Sequence, residues 1–163
     1  MVEKLSGDLV VKPGQRFALV VAEFNEFITE RLAKSAVECI LRHGGNEGQI
    51  TQVLVPGCFE IPTMAMELAK SGQYSAVICL GAVIRGQTDH YDHVAGAVAR
   101  GVAQIGPSTG LPTIFGVITA DTIEQAIDRA GLKAGNTGWN AACSAIAMVN
   151  VIAKAKQGAK GKK

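Results

Sequence analysis

The stretch AVICLGAVI at residues 76–84, followed at once by RGQTDH at residues 85–90, decides the fold of this 163-residue chain. An unbroken apolar run of this length predicts a β-strand that is buried on both faces. The polar turn after it leads into a helical pattern at residues 90–104. Such a strand, followed directly by a helix, is typical of a parallel sheet between two layers of helices.

The same alternation of strands and helices extends from this stretch towards both ends of the chain. Short apolar runs predict three more strands, at residues 16–22, 50–55 and 113–119. Sequence patterns predict further helices, between Asn25 and Gly44 and at residues 61–70, 121–130 and 139–156. Residues 107–112 are predicted to be a turn-rich link. The order predicts a single domain over residues 1–163 with an α/β, three-layer α/β/α, flavodoxin-like fold, in which helices cover both faces of a four-stranded parallel sheet.

The two ends of the chain carry weaker signals, and we place the ordered core at about residues 5–155. Residues 6–11 (SGDLVV) predict a weak extra strand. Because this strand alone would lack a partner, we expect it to pair with the sheet edge of a neighbouring subunit. The basic tail at residues 157–163 is expected to be frayed and solvated.

Composition argues against several classes of protein. Hydrophobic residues make up 48% of the chain and charged residues 18%, which excludes a disordered chain. Much of the net charge of +2 comes from the tail, so we expect no basic face and no nucleic-acid partner. Because the sequence contains neither a bilayer-spanning apolar stretch nor a signal region, we expect no membrane association and a cytoplasmic location.

The four cysteines give no sign of a metal site, because they contain no C-x-x-C pair and their spacing matches no metal signature. Cys39, Cys79 and Cys143 lie in apolar runs and are expected to be small core residues. The chain also lacks the P-loop pattern, a G-x-G-x-x-G after the first strand and a G-x-S-x-G elbow. These absences argue against a P-loop and a dinucleotide fold.

In a fold of this kind, ligands bind beyond the carboxyl ends of the strands, and the first two loops there carry candidate residues. Phe24 either stacks on a planar ligand or packs as a staple against the helix that follows. In PGCFEIP at residues 56–62, the amides of Cys58 and Phe59 lie near a helix start and are free to donate. Glu60 either accepts hydrogen bonds from ligand hydroxyls or favours the helix dipole. Cys58 has no clear base partner, which argues against a thiol nucleophile.

The third loop, at residues 85–90, is the most informative. The amides of Gln87 and Thr88 are expected at a helix N-terminus, where the helix dipole favours an anion such as phosphate. Thr88 is also expected to cap the helix. His90 follows, and its imidazole either transfers protons, the usual catalytic role of histidine, or has a structural role in the first turn of the helix. His93 is expected to be a packing or surface residue.

The fourth loop adds candidates of a different kind. Phe115 lies inside a strand and is most simply a core residue. Arg129 either holds a phosphate with two hydrogen bonds or supplies favourable charge at a helix C-terminus. Lys133 is a further candidate beside it.

With these loops taken together, the chain resembles the lumazine synthase family from about residue 5 to residue 155. The matching pieces occur in the family's order: Phe24-Asn25, PGCFEIP at 56–62, GAVIRGQTDHYDHV at 81–94, FGVIT at 115–119 and DTIEQAIDRAGLKAGN at 121–136. The resemblance implies condensation of 5-amino-6-(D-ribitylamino)uracil with 3,4-dihydroxy-2-butanone 4-phosphate. The products would be 6,7-dimethyl-8-ribityllumazine, phosphate and water.

The resemblance also implies the roles of individual residues. The catalytic histidine would be His90, and the sugar phosphate would contact Gln87, Thr88 and Arg129. The aminouracil and ribityl chain would contact Phe24, Asn25, Cys58, Phe59, Glu60, Ala82, Val83, Ile84 and Phe115. Phe115 would be supplied across a subunit boundary. We also expect Asp92 or a nearby carboxylate to tune His90.

The family forms pentamers, pairs of pentamers or hollow icosahedral capsids, so the resemblance implies a pentamer-based homo-oligomer whose active site lies between adjacent subunits. Riboflavin synthase is an implied partner. No cofactor is implied, because the amine is already nucleophilic and phosphate is a fair leaving group. Two positions depart from the family's pattern, since many members carry a lysine in place of Thr137 and an acidic residue in place of Asn140.

Two alternative functions stay open from the sequence. The archaeal-type riboflavin synthase shares this general fold but needs no sugar phosphate. Arg129 and the separate loop at residues 85–90, which ends at His90, argue against it. A non-catalytic shell protein that binds flavin or lumazine is the other. The intact set of Phe24, His90 and Arg129 argues against lost activity.

Overall fold

The computed structural model describes residues 1–133 and 135–160, and its centre is a sheet of four parallel strands. The strands are β1 (Phe17–Ala22), β2 (Ile50–Val55), β3 (Ala76–Ile84) and β4 (Thr113–Ala120). Their order across the sheet is β2-β1-β3-β4. In this register Leu19 of β1 lies opposite Gln52 on one side and Ile78 on the other. The predicted strands are confirmed to within one residue at each end.

Helices follow every strand, as the sequence predicts. They are α1 (Glu26–Arg42), α2 (Ile61–Lys70), α3 (His90–Thr109), α4 (Ile123–Arg129) and α5 (Thr137–Lys160). Two short 3-10 helices, Glu47–Gln49 and Cys58–Glu60, were not predicted. None of the helices in the described ranges is long and apolar enough to cross a membrane.

The alternation of side chains along each strand builds a separate core on each face of the sheet. Phe17, Leu19 and Ile78 are fully buried on the face that carries α1 and α5. Val20 and Val77 are fully buried on the face that carries α2 and α3. Since each strand buries apolar side chains in both directions, the three-layer α/β/α, flavodoxin-like prediction is confirmed.

Two helix boundaries differ from the predictions. Helix α3 continues through Pro107, which removes one helical backbone hydrogen bond, and ends two residues later at Thr109. The hydroxyl of Thr109 donates to the carbonyl of Ile105 over 2.7 Å, and Gly110 ends the helix with a left-handed φ of 73°. The link predicted at residues 107–112 is therefore wrong for its first three residues.

Helix α5 is longer than predicted at both ends. It begins at Thr137 because the side-chain oxygen of Asn136 accepts hydrogen bonds from the amides of Gly138 and Trp139, over 2.8 and 3.2 Å. It runs four residues past the predicted end at Lys156, to Lys160. The frayed tail predicted from residue 157 is thus helical over its first four residues, and residues 161–163 lie outside the described part.

The extra strand predicted at residues 6–11 is not formed within the chain, because no strand of the sheet lies beside it. Within its own chain the segment packs on α5, and pairing with the sheet edge of a neighbouring subunit stays a prediction. The amide group of the buried Asn150 donates to the carbonyls of Asp8 and Val10, over 2.7 and 2.9 Å. Gly7 lies so close to Ala147 that an added Cβ would lie 1.9 Å from its carbonyl oxygen.

Candidate active site

A cavity of about 760 Å³ opens beyond the carboxyl ends of β1, β2 and β3. It brings together most of the residues that the sequence singled out: Phe24, Asn25, Cys58, Phe59, Glu60, Ala82, Val83, Ile84, Thr88 and His90. Four other candidates, Gln87, Phe115, Arg129 and Lys133, do not line it. The cavity lies where ligands bind in open parallel sheets, at the strand ends and beside a helix start.

The first wall of the cavity is the turn between β1 and α1. Asn25 adopts a left-handed φ of 62°, and its amide group donates to the carbonyl of Ala82 over 2.9 Å. This hydrogen bond ties the turn to the end of β3. The side chain of Phe24 is 73% exposed, so it does not pack as a staple against the helix. An exposed aromatic ring on a cavity wall is suited to stacking on a planar ligand.

The second wall is the short 3-10 helix that contains Cys58 and Phe59. The thiol of Cys58 is buried against the carbonyl of Ala82, and this burial raises its pKa to about 11. Only glycine fits at position 81, because an added Cβ would lie 2.5 Å from the sulfur of Cys58. Phe59 is 61% exposed, and Glu60 is exposed beside it. The wall therefore combines a buried neutral thiol with accessible groups that can contact a ligand.

The third wall is the start of α3, which His90 opens as its first residue. Asp89 occupies the N-cap position and makes no side-chain cap, so the prediction that Thr88 caps this helix is wrong. The hydroxyl of Thr88 accepts only a long hydrogen bond, of 3.4 Å, from the amide of His90. Both side chains are exposed towards the cavity. The first amides of a helix have no partner within it, and the helix dipole favours an anion there.

An ion-pair cluster fixes the loop before His90. The guanidinium of Arg85 lies 2.9 Å from the carboxylate of Asp121 and 3.3 Å from that of Asp92. These two partners, Asp121 first, raise the pKa of Arg85 above its ordinary value. The guanidinium also lies 4.3 Å from the ring centre of Tyr91, which lines the cavity. The carboxylate of Asp92 thus faces Arg85, and a coupling between Asp92 and His90 stays a prediction.

His93 lies on the cavity wall, although its position in the sequence suggested packing or plain surface. It follows His90 by three residues, so both side chains project from the same face of α3. This spacing was a signal that the sequence reasoning did not use. Arg85 was missed for a different reason, because its partner Asp121 lies 36 residues further along the chain.

Of the candidates outside the cavity, Gln87 lies in the exposed loop before α3, and the other three come from the edge strand β4, from α4 and from the turn after it. Phe115 is 43% exposed on β4, so the simple expectation of a core residue is wrong. Its neighbour in the sheet, Cys79, is fully buried, which shows that the exposure arises at the edge strand. Arg129 is the last residue of α4, and its carbonyl accepts a 3.1 Å hydrogen bond from the hydroxyl of Thr137. Lys133 is exposed in the following turn.

Comparison with known proteins agrees with this arrangement. The sequence model of the 6,7-dimethyl-8-ribityllumazine synthase family matches residues 14–153. A protein of Prosthecochloris aestuarii, described as 6,7-dimethyl-8-ribityllumazine synthase, is 57% identical over 136 residues, which are 83% of this chain and 88% of that protein. The matched range contains the whole sheet and every wall of the cavity. The chain therefore belongs to the 6,7-dimethyl-8-ribityllumazine synthase family.

Proposed function

We propose that the chain condenses 5-amino-6-(D-ribitylamino)uracil with 3,4-dihydroxy-2-butanone 4-phosphate, giving 6,7-dimethyl-8-ribityllumazine, phosphate and water. Membership of the family and the 57% identical relative of that name support this reaction. The observation that carries the proposal is the position of His90, which opens α3 on the wall of a cavity large enough for small-molecule ligands. The reaction is the penultimate step of riboflavin biosynthesis.

The walls of the cavity suit the two substrates differently. The exposed ring of Phe24 would stack on the pyrimidine, while Asn25, Cys58, Phe59 and Glu60 lie where they would meet its polar edge and the ribityl chain. The apolar ends of β3, at Ala82, Val83 and Ile84, would complete that side. The phosphate would lie at the start of α3, on the amides of Gln87 and Thr88. Arg129 lies outside the cavity of its own chain, so it would act as the cationic partner from a neighbouring chain.

The chemistry needs orientation and proton transfer. The amine of the uracil attacks the ketone, water leaves to form an imine, phosphate departs, and the second amine closes the ring with loss of water. His90 lies at the helix start proposed for the phosphate, where an imidazole can take and return protons. Holding both substrates in one cavity supplies much of the remaining acceleration, because effective molarities in oriented pairs are very large. The amine and the phosphate are reactive enough that the proposed steps use no cofactor.

The active site is proposed to be shared between subunits of a pentamer-based homo-oligomer. Phe115 supports this, because it is exposed and lies outside the cavity of its own chain. A neighbouring chain could bring this ring to the open side of the cavity. We propose a cytoplasmic enzyme with riboflavin synthase, which consumes its product, as a functional partner.

One assay separates this function from its rivals. The purified chain is mixed with both substrates, and lumazine is followed by its absorbance while phosphate is measured separately. The proposal predicts that lumazine and phosphate appear in equal amounts. Riboflavin formed from lumazine alone would indicate the archaeal-type riboflavin synthase reaction. Tight binding of lumazine or flavin without turnover would indicate a non-catalytic binding protein.

A further inference from the structure

Two thiols and an imidazole meet between α1 and α5, and none of them lines the active-site cavity. The sulfur of Cys39 lies 3.4 Å from the sulfur of Cys143 and 3.5 Å from Nδ1 of His43. Each of the three residues offers a ligand atom within 4.8 Å of the others. Within residues 1–133 and 135–160, no other three histidine, cysteine or acidic side chains converge in this way. Such a soft donor set is typical of a metal centre.

The helices explain why these side chains converge although their spacing in the sequence matches no metal signature. Cys39 and His43 are four residues apart at the end of α1, so they share one face of the helix. Cys143 comes from α5, which packs closely against α1. At Gly138 of α5 an added Cβ would lie 2.0 Å from the carbonyl oxygen of Leu32. The third ligand is thus delivered by tertiary packing.

The separation of the sulfurs favours a tetrahedral metal over a disulfide. Zinc–sulfur bonds of about 2.3 Å place two sulfurs about 3.8 Å apart in a tetrahedron. The observed 3.4 Å between Cys39 and Cys143 is therefore close to the distance that zinc requires. A disulfide would require the same atoms to approach to about 2.0 Å. The thiols are free in the described structure.

The surroundings of His43 also fit a zinc ligand. Its Nδ1 lies 3.5 Å from the sulfur of Cys39 and 2.6 Å from the carbonyl oxygen of the same residue, so in the metal-free chain Nδ1–H donates to that carbonyl. A zinc ion that binds Nδ1 would replace this proton, and the ring proton would then lie on Nε2. The ring centre of Trp139 lies 5.8 Å from that of the imidazole, and the two rings are tilted by 58°.

Charge and exposure favour a divalent ion with one position open to solvent. Two thiolates balance the charge of Zn²⁺, so the occupied site would bury no net charge. Cys39 is fully buried, whereas His43 and Cys143 are half-buried. We propose that Cys39, His43 and Cys143 bind one Zn²⁺ per chain, with water as the fourth ligand, and so join α1 to α5.

The test uses reduced, metal-free full-length protein whose four thiols have been counted. Titration with Co²⁺ is expected to give a sulfur-to-metal charge-transfer band that saturates at one ion per chain, and Zn²⁺ is expected to abolish it. In Cys143→Ser the band should lose about half its intensity, because one of two thiolates is gone. The affinity should fall on the order of tenfold or more, since even loss of an outer partner has that effect.

Two further variants serve as controls for the Co²⁺ titration. His43→Ala keeps both sulfurs and changes a half-buried position, so it should fold and still bind more weakly than wild type. Cys79→Ala removes a buried thiol outside the cluster and should leave the band unchanged. Absence of the band in the wild-type protein would overturn the proposal, as would an equal band in Cys143→Ser.

Discussion

His90 is the residue on which the proposed proton transfers depend. Replacing it in His90→Ala is expected to lower kcat by roughly 10²-fold, the lower end of the range for general acid–base groups, because substrate orientation survives. The side chain is exposed, so the thermal unfolding midpoint should stay near that of wild type. Steady-state lumazine formation measures the effect. An unchanged kcat would remove His90 from the mechanism.

Replacing Arg129 distinguishes a role in phosphate binding from a role in stabilising the C-terminal end of α4. If its guanidinium binds the sugar phosphate, Arg129→Ala should raise the KM for that substrate by about 10- to 100-fold, as loss of charge-assisted hydrogen bonds does. The KM for the aminouracil should change little. Arg42→Ala is the control, because Arg42 also lies in the last turn of a helix, is exposed and does not line the cavity. This variant also removes an exposed ion pair with Glu38. Equal effects of the two variants would favour the helix-end role.

Cys58 tests whether a cavity thiol takes part in the chemistry. Its burial raises the pKa from 9.0 to about 11, so the thiol is neutral at pH 7.5 and a poor nucleophile. Cys58→Ala should therefore keep a kcat close to that of wild type. In the folded protein, alkylation of Cys58 by iodoacetamide should accelerate as the pH rises towards 11. If Cys58 in the folded protein were labelled at pH 7.5 as fast as in the unfolded chain, the neutral protonation state assigned to its thiol would be contradicted.

At the level of elements, the contact between α1 and α5 sets the stability of one face of the sheet. A Cβ at Gly138 would lie 2.0 Å from the carbonyl oxygen of Leu32, so Gly138→Ala must push the two helices apart. We expect the free energy of unfolding to fall by about 3 kcal/mol, as severe overpacking does. Urea denaturation followed by circular dichroism measures it.

Gly158→Ala supplies the control for this effect in the same helix. No atom lies within 4 Å of the added Cβ at position 158, so only the higher helix propensity of alanine acts there. That change should raise the free energy of unfolding by about 0.5–1 kcal/mol at most. If both variants lost stability equally, close packing of α1 and α5 would not be the cause.

The strands were predictable from local pattern, whereas helix ends depended on single residues. The run at residues 76–84 is apolar in both side-chain directions, and such a run has few alternatives to a buried strand. The start of α5 was missed because the cap Asn136 was not recognised, although asparagine at that position is a known signal. The end of α3 was missed because Pro107 is normally taken as a breaker.

The position of the cavity could be predicted from the topology, because the carboxyl ends of parallel strands lie at the same edge of the sheet whatever path the loops follow. Pairings between distant parts of the chain were not foreseeable. Arg85 meets Asp121 across 36 residues, and Cys39 meets Cys143 across 104 residues. Such contacts depend on the packing angle and depth of whole helices, which periodicity does not encode.

For the whole molecule, several large apolar side chains are exposed to solvent. Side chains at least 40% exposed include those of Phe27, Leu54, Phe115, Ile123, Leu132 and Met148. Exposed apolar groups of this kind favour assembly with further copies of the chain. A pentamer-based oligomer would cover part of this surface and would place Phe115 near a neighbour's cavity.

Mixed oligomers test this shared site directly. Chains carrying His90→Ala and chains carrying Phe115→Ala are co-expressed, and the mixed oligomers are assayed at an aminouracil concentration below KM. If Phe115 serves the neighbouring cavity, about a quarter of the sites in a random mixture combine an intact His90 with an intact neighbouring Phe115. The activity should then exceed the mean of the two separate variants. A mixture of His90→Ala with Phe24→Ala is the control: because both residues line the same cavity of one chain, no intact site can arise from it. A gain in neither mixture would place Phe115 outside the active site, and equal gains would show that assembly alone raises activity.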